Sequence, residues 1–406
     1  MRGRRREYAA AAGASRLALD CRGVLADLVL AHYRAHARDF PWRRAPDPYA
    51  IWICEVMAQQ TRLETMLPYW RRWMARFPDA RALAAAHLDD VLALWAGLGY
   101  YARARSLHAA ARVIVERHGG RFPGRAEDIA ALPGIGPYTA GAIGSIAFGH
   151  RLPVVDGNVA RVLARVHALE DVHSPAGRRR VWELAAAAVP ADAPGDFNQG
   201  LMDLGATVCT PRAPSCGACP LAAVCRARAA GRQEALPAPK RRAAVAERTI
   251  DLAWIADRGR WLLARRAPGG LYGGLWELPE AAALGLEPVG APVATHVQRL
   301  THRTLTYRVF KMKPRRPPAA AAPYDATRRV APDELAALGV SSATRALARK
   351  LIQKGTSPWP TPRRRSSSTA RASRRSSKAS ASSATTSTTT RTSRPRRSVP
   401  RRASPS

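Results

Sequence analysis

Four of the six cysteines of the chain lie within the eighteen residues from Val208 to Cys225, with the spacing C-x6-C-x2-C-x5-C. A disulfide set is disfavoured, because the chain shows no signal peptide or membrane-spanning run and we expect a cytoplasmic protein with reduced thiols. Structural zinc sites usually pair two C-x2-C knuckles, and only one such pair occurs here. The uneven spacing favours an iron–sulfur cluster, which four thiolates can hold in one small loop.

The chain is strongly basic, with a formal net charge of +35 over 406 residues. A protein with this net charge usually binds a polyanion, and nucleic acid is the first candidate. The alternative is a solubility effect of an arginine-rich composition. The charge alone therefore indicates a class of partner and not a reaction.

Changes in composition and in hydrophobic periodicity divide the chain into five segments. Residues 1–20 read as a loose basic arm, and residues 21–228 carry the helical periodicity of an all-α domain. Residues 229–248 are rich in Ala, Pro and charge, as linkers are. Residues 249–353 predict an α+β domain, and the Ser-, Thr- and Arg-rich tail 354–406 is expected to be disordered because it has little to bury.

Strand signals appear only in the α+β segment. RTIDLAWIA and RWLLARR alternate as strands do, and Asp-Arg-Gly between them predicts a hairpin turn. LTYRVFKMK predicts another strand, while PDELAALG and SSATRALARKLI predict helices. The segment therefore combines a sheet with at least one C-terminal helix.

The run ALPGIGPYTAGAIGSIAFG predicts two helical segments joined by a tight turn. Gly134 and Gly136 favour a turn with φ > 0. They also let backbone N–H groups approach an anion at the start of the second helix. A phosphate bound in this way would be positioned without reading sequence. The alternative is an ordinary turn between two helices.

Two carboxylates stand out as candidates for chemistry. Glu55 is the only charged residue between Asp47 and Arg62. If its helix faces inward, burial raises its pKa and lets it hold a proton near neutral pH. Asp156 begins the run DGNVARVLAR, where an Asp is most often the N-cap of the following helix. Cleavage of an N-glycosidic bond needs an acid for the base and a carboxylate for the sugar cation.

The cysteine spacing, the L-P-G-x-G hairpin and the D-G-N-V-x-R-V-L run resemble the endonuclease III superfamily of DNA glycosylases, whose loop of this form holds a [4Fe-4S] cluster. Within it, C-E-V-M-x-Q-Q-T, G-L-G-Y-Y-A-R and G-P-Y-T resemble the MutY family of adenine DNA glycosylases, from Phe40 to Cys225. Cys54 stands where that family often has Ser. The fold implied is an all-α helix-hairpin-helix domain with an iron–sulfur loop.

The resemblance also implies roles. In that family the first carboxylate protonates adenine and the second stabilises the sugar cation, and double-stranded DNA with adenine opposite 8-oxoguanine or guanine is the partner. Tyr138 stands where related lyases have lysine, and no lysine precedes Lys240, which predicts a monofunctional glycosylase. The residues implied are, for catalysis, Glu55, Asp156, Tyr138 and Asn158; for DNA, Arg43, Gln60, Thr61, Tyr100, Gly134, Gly136, Thr301 and His302; and for the cluster, Cys209, Cys216, Cys219 and Cys225.

The segment GGLYGGLWELPE resembles the C-terminal Nudix-like (MutT-like) domain of the same family. The Nudix metal-binding signature is missing from the sequence, so this domain is expected to read a lesion rather than to hydrolyse a nucleotide. The family's Phe-Ser-His loop corresponds to Leu300-Thr301-His302. Thr301 can supply the same hydroxyl hydrogen bond as Ser. The alternative for His302 is a histidine on the polar face of a strand.

Three hypotheses remain open at this point. The first is a monomeric adenine DNA glycosylase of base excision repair, cytoplasmic and nucleoid-associated in a bacterium. The second is an endonuclease III-like glycosylase for oxidised pyrimidines. The third is a non-catalytic helix-hairpin-helix module that binds DNA and is held together by zinc or an iron–sulfur cluster. The paired carboxylates oppose the third, and Tyr138 and Glu55 oppose the second.

Overall fold

The computed structural model describes residues 23–240, 245–314, 318 and 320–354. They belong to one compact unit, Met1–Trp359, and the second unit, Pro360–Ser406, lies outside the described residues. The arm predicted over residues 1–20 and the tail predicted beyond Lys354 also lie outside them. Among the described residues, no helix has the length and apolar character needed to cross a membrane.

Described residues up to 240 form helices and no strand, as the periodicity predicts. Many of these helices begin at an Asp, a Ser or a Pro, which supply caps or a preset φ for the first turn. The helices are α1 (residues 23–36), α2 (Pro41–Arg44), α3 (Pro48–Ala58), α4 (Leu63–Arg76), α5 (Ala80–Ala85), α6 (Leu88–Trp95), α7 (Ala102–His118), α8 (Ala126–Ala130), α9 (Pro137–Phe148), α10 (Gly157–Val166), α11 (Pro175–Ala188), α12 (Pro194–Thr207) and α13 (Arg226–Ala229).

The helical region has two hydrophobic cores. One core joins α2 to α9 and contains Trp52, Trp73 and Trp95, each almost fully buried. The other joins α1 to α10–α12 and contains Phe197 and Leu163. The helices α9 and α12 pack against each other. A site with residues on α3 and α10 therefore lies between two separately packed halves.

The described part of the second domain contains seven strands and a final helix. Two sheets form, ordered β1-β6-β5 and β2-β3-β4 with β7 also paired to β3. Their buried faces share a core with the last helix. The elements are β1 (Ala246–Trp254), β2 (Ala256–Asp257), β3 (Arg260–Arg266), β4 (Trp276–Glu277), β5 (Ala294–Arg299), β6 (Arg303–Lys311), β7 (Tyr324–Val330) and α14 (Ser342–Lys354).

The predicted hairpin turn is confirmed, but its strands differ from the prediction. Arg258 and Gly259 have φ of 48° and 74°, as a two-residue turn between paired strands requires. Only β2 pairs with β3 through this turn, whereas β1 pairs in parallel with β6. Ile250 and Leu252 on β1 join the core beneath β5 and β6, which explains this pairing. The run PDELAALG forms only a short 3-10 turn, Glu334–Ala337.

Candidate active site

Glu55 lies on a helix that is buried on all sides. Helix α3 is capped by Asp47, whose carboxylate accepts hydrogen bonds from the N–H groups of Tyr49 and Ala50 at 3.4 and 2.9 Å. Every residue from 49 to 57 is buried, as an apolar helix inside a protein requires. Glu55 is 8% exposed, so its predicted desolvation is confirmed.

The hydroxyl of Tyr138 donates a hydrogen bond of 2.6 Å to Oε2 of Glu55. Tyr138 is in the first turn of α9, directly after Pro137. Burial raises the pKa of Glu55 and the Tyr138 hydrogen bond opposes the rise; with smaller effects of Asp156, which raises it, and Arg43, which lowers it, the pKa is about 7. Glu55 can therefore hold a proton near neutral pH and release it when a stronger base approaches.

Asp156 is both the N-cap of α10 and a neighbour of Glu55. Its Oδ1 accepts a hydrogen bond from the N–H of Val159 at 2.7 Å, which confirms the cap interpretation. Its Oδ2 accepts from Nδ2 of Asn158 at 2.9 Å. Burial raises the pKa of Asp156 above its ordinary value, and the hydrogen bonds from Val159 and Asn158 counteract that rise. The cap therefore fixes the direction of the carboxylate.

Arg161 connects Asn158 to the cysteine loop, and sequence analysis did not select it. Its guanidinium donates to Oδ1 of Asn158 at 2.9 Å and to the carbonyl of Cys209 at 2.8 Å. The amide of Asn158 is thereby held between Arg161 and Asp156. An arginine one turn after a D-G-N cap carries no local signal for this bridge, because its acceptors come from α10 and from the chain after α12.

The guanidinium of Arg43 is engaged in an ion pair with Asp203. Its guanidinium donates to both carboxylate oxygens of Asp203, at 2.7 and 3.0 Å, and Arg38 donates to Oδ1 of the same residue at 2.5 Å. Burial would raise the pKa of Asp203, but the hydrogen bonds from Arg43 and Arg38 outweigh it and hold that pKa below its ordinary value. The sequence predicted Arg43 as a base-binding residue and missed Arg38 and Asp203.

Gln60 and Tyr100 lie at the surface with unusual backbones. Gln60 is exposed and Tyr100 is 47% exposed, and their φ angles are 59° and 47°. The adjacent Tyr101 is buried, as expected for one core residue of the two. Thr61 is half-buried and its N–H donates to the carbonyl of Ala58 at 3.0 Å.

The two domains meet at Tyr100. Its hydroxyl lies 2.7 Å from Oγ1 of Thr301. Thr301 and His302 are exposed in the turn between β5 and β6, while Leu300 packs against the core of the second domain. The loop predicted to sense a lesion therefore lies beside the tyrosine predicted to enter the base stack.

The two glycines of the hairpin serve different purposes. Gly134 has φ of 75°, and a Cβ there would lie 2.4 Å from Cβ of Ser106, so the turn requires glycine for packing as well as for conformation. Gly136 has φ of −96°, which corrects the predicted φ > 0 at this position, because here it is the extended N-cap of α9. A Cβ on Gly136 would meet nothing within 4 Å, so its surface is open.

The four cysteines of the loop are all free thiols and line one pocket. Burial and, to a smaller extent, the other three thiols raise the pKa of Cys219 to about 11, against a backbone hydrogen bond from Leu221. Within the described residues, no three His, Cys, Asp or Glu side chains are arranged to hold a single metal ion. Arg165, which is buried, closes the pocket by donating to Sγ of Cys209 at 3.3 Å and to the carbonyl of Thr210 at 2.7 Å.

Two family models match the chain. Residues 53–186 match the HhH-GPD superfamily of base excision DNA repair proteins, and residues 252–350 match the NUDIX domain. The first range contains the two carboxylates and Tyr138, and the second contains the turn between β5 and β6. The fold class predicted from the sequence is confirmed.

The chain is also similar to adenine DNA glycosylases. It is 49% identical to that of Homo sapiens over 218 residues, which are 51% of this chain and 40% of that protein. It is 38% identical to that of Arabidopsis thaliana over 290 residues, which are 61% of this chain and 46% of that protein. The chain thus spans less than half the length of these two relatives.

Two solved structures are also among those similar to the chain. A thermostable thymine-DNA glycosylase is 31% identical, with a TM-score of 0.48 over 52% of this chain and 97% of that one. A non-covalent endonuclease III–DNA complex is 20% identical, with a TM-score of 0.44 over 54% of this chain and 97% of that one. By its two family matches and its relatives, the chain is similar to adenine DNA glycosylases, and it combines a segment of the HhH-GPD superfamily of base excision DNA repair proteins with a NUDIX domain.

Proposed function

We propose that the protein is a monofunctional DNA glycosylase that excises adenine paired with 8-oxoguanine or guanine. One observation carries the proposal: a buried carboxyl with a raised pKa, Glu55, lies near a second, half-buried carboxyl, Asp156. This is the pair that N-glycosidic cleavage needs, an acid for the leaving base and an anion for the sugar cation.

The reaction begins when the target adenine leaves the stack, since its glycosidic bond is out of reach in a duplex. Glu55 then gives its proton to a ring nitrogen of adenine, which makes the base a better leaving group. The Tyr138 hydroxyl holds the carboxyl in place and stabilises the carboxylate that remains. As the C–N bond breaks, Asp156 faces the positive charge on the sugar, and Glu55 then accepts a proton from the attacking water.

The site supports hydrolysis rather than a Schiff-base lyase. A lyase needs a neutral amine next to the sugar carbon. Tyr138 lies against Glu55 instead, and the sequence contains no lysine before Lys240. Water is therefore the nucleophile in the proposed reaction, and the DNA strand remains intact after the base has left.

Duplex DNA is the proposed partner, in agreement with the net charge of +35. The open backbone at Gly136, at the start of α9, offers N–H groups to a phosphate. Gln60 and Tyr100 are proposed to fill the space beside the extruded base, since both are exposed. Thr301 and His302 lie next to Tyr100 and are proposed to contact the 8-oxoguanine.

We also propose that Cys209, Cys216, Cys219 and Cys225 hold a [4Fe-4S] cluster. The donor set fits, because four free thiols line one pocket and a [4Fe-4S] cluster is held by four cysteine sulfurs. Mutual repulsion between unpaired thiolates would be relieved by a cationic cluster. When bound, the cluster would tie the loop after α12 to α10, next to Asp156, and supply no step of the base excision.

The experiment is an excision assay on end-labelled duplexes. One duplex carries adenine opposite 8-oxoguanine and the control carries cytosine opposite 8-oxoguanine. We expect strand breakage at the adenine only after alkali, because a hydrolytic glycosylase leaves an intact abasic strand. Breakage without alkali would refute the monofunctional assignment, and no breakage after alkali would refute adenine excision.

A further inference from the structure

Two of the six described non-glycine residues with φ > 0 are Gln60 and Tyr100. Such backbones cost free energy for residues other than glycine and persist only where the surroundings impose them. Gln60 follows the end of α3, and Tyr100 precedes the start of α7. The two residues are forty positions apart in the sequence. Either one neighbouring side chain holds both backbone conformations, or a different neighbour holds each of them.

One side chain reaches both segments. Nη1 of Arg103 donates to the carbonyl of Gln59 at 2.7 Å, and Nη2 donates to that of Gly99 at 3.4 Å. These two carbonyls belong to the peptide bonds that lead into Gln60 and Tyr100. The same guanidinium also donates to the carbonyls of Val56, Met57 and Leu98, at 2.8, 3.1 and 3.2 Å.

The setting of Arg103 argues for a positional role rather than for stability. Its guanidinium hydrogen bonds go to carbonyl oxygens, and its buried Nε has no partner within the described residues. It lies over the rings of Trp95 and Tyr100, at 5.2 and 5.5 Å. Burying a cation without a carboxylate is unfavourable. A planar fork presents several donors in fixed directions to two segments, whereas an ammonium group is a compact point charge with fewer donors.

The two segments border the same surface as the helical hairpin. Arg103 lines a pocket together with Gln59 and with Pro133 and Gly134 of the hairpin. The side chain of Gln59 donates to the hydroxyl of Thr139 on α9 at 3.4 Å. Gln60 and Tyr100 are therefore exposed on the face where the hairpin would meet DNA.

We propose that Arg103 is a positioning residue that fixes Gln60 and Tyr100 as one unit for insertion into duplex DNA. The inference rests on the proposed function in taking a DNA duplex as the ligand. It assigns the coupling of the two loops to a single guanidinium, and predicts that the two exposed side chains lose their placement together when that group is replaced.

The test is Arg103→Lys, with Arg151→Lys as the matched control. Arg151 is exposed and also donates to a backbone carbonyl, that of Val189 at 2.8 Å, which belongs to neither loop. Affinity is measured for a duplex with an uncleavable adenine analogue opposite 8-oxoguanine. We expect Arg103→Lys to weaken binding by about 10- to 100-fold, as the loss of charge-assisted hydrogen bonds does, and the control to stay within about twofold. Binding of Arg103→Lys within about twofold of wild type would overturn the proposal.

A double-mutant cycle separates positioning from general damage. If Arg103 acts through Tyr100, Arg103→Lys costs at least about fivefold less in a Tyr100→Ala background than in wild type. Losses that simply multiply would overturn the coupling. If Arg103→Lys does not fold, Arg103→Gln replaces it, because an amide still donates to one carbonyl and leaves no buried charge.

Hydrogen exchange tests the inference even if the proposed reaction fails. If the wild-type protein does not excise adenine, the proposed function is wrong, but the positioning role proposed for Arg103 is not thereby refuted. In the free protein, peptides covering residues 58–62 and 97–101 should both exchange faster in Arg103→Lys than in Arg151→Lys. Faster exchange in only one of them, or in neither, would show that the two loops are set independently.

Discussion

Replacing Glu55 by Gln tests the proposed acid most directly. The side chain is 8% exposed, and its carboxyl accepts the 2.6 Å hydrogen bond of Tyr138. The amide oxygen of Gln can accept the same bond, so the variant keeps shape and packing. It loses only the proton that Glu55 can give.

The expected loss of excision follows from general acid catalysis, which contributes roughly 10²- to 10⁴-fold to a rate. This corresponds to about 3–5 kcal/mol of transition-state stabilisation. Binding of the duplex should change little, because the same hydrogen bond to Tyr138 remains. Glu55→Gln should therefore bind substrate DNA and leave the adenine in place.

Although Glu55→Gln should lower the excision rate, it should raise the stability of the folded protein. The pKa of Glu55 rises from 4.5 to about 7 on folding, so ionised Glu55 makes the folded state about 3 kcal/mol less stable relative to the unfolded chain. This loss is absent well below pH 4.5, grows as the pH rises, and is complete above about pH 7. The unfolding free energy of Glu55→Gln should therefore increasingly exceed that of wild type as the pH rises over the same range.

Two measurements check this reasoning. Single-turnover excision is followed on a duplex with adenine opposite 8-oxoguanine, and unfolding is compared at about pH 5 and about pH 8.5. Glu183→Gln is the control, because Glu183 is exposed and, within the described residues, forms an ion pair only with Arg180 on its own helix. Excision within about tenfold of wild type, or an equal stability difference at both pH values, would refute the assignment of Glu55.

Three further predictions follow from the same site. Excision should fall about tenfold per pH unit above about pH 7 as Glu55 loses its proton, and a single-turnover rate that stays flat from about pH 7 to 9 would contradict this. Asp156→Asn should lower excision at least about 100-fold. It should change the unfolding free energy by about 1 kcal/mol or less, because Asn also caps helices well. If the variant loses its folded structure and its activity together, Asp156 has a structural role alone. Cys219→Ser should lower the iron content and the melting temperature of the purified protein, and undiminished iron would remove Cys219 from the proposed ligands.

Much of the fold was predictable because local patterns decide it. The apolar surroundings of Glu55 predicted a buried helix, and the D-G-N run predicted the N-cap of α10. The Arg-Gly turn between β2 and β3 was predictable from residue type alone. The parallel partner of β1 was not, since a strand that alternates correctly can pair with any strand whose core face it matches.

What the sequence determined by itself was the kind of chemistry: a lone carboxyl in an apolar helix, a capping aspartate, four clustered thiols and no lysine before Lys240. Only the tertiary structure decided which groups meet. Tyr138 reaches Glu55 across α9 and α3, Arg161 joins the cysteine loop to Asn158, and Arg103 reaches two loops at once. The reason is physical: residue type and spacing fix local backbone and burial, whereas a hydrogen bond between distant side chains exists only once separately formed helices have packed face to face.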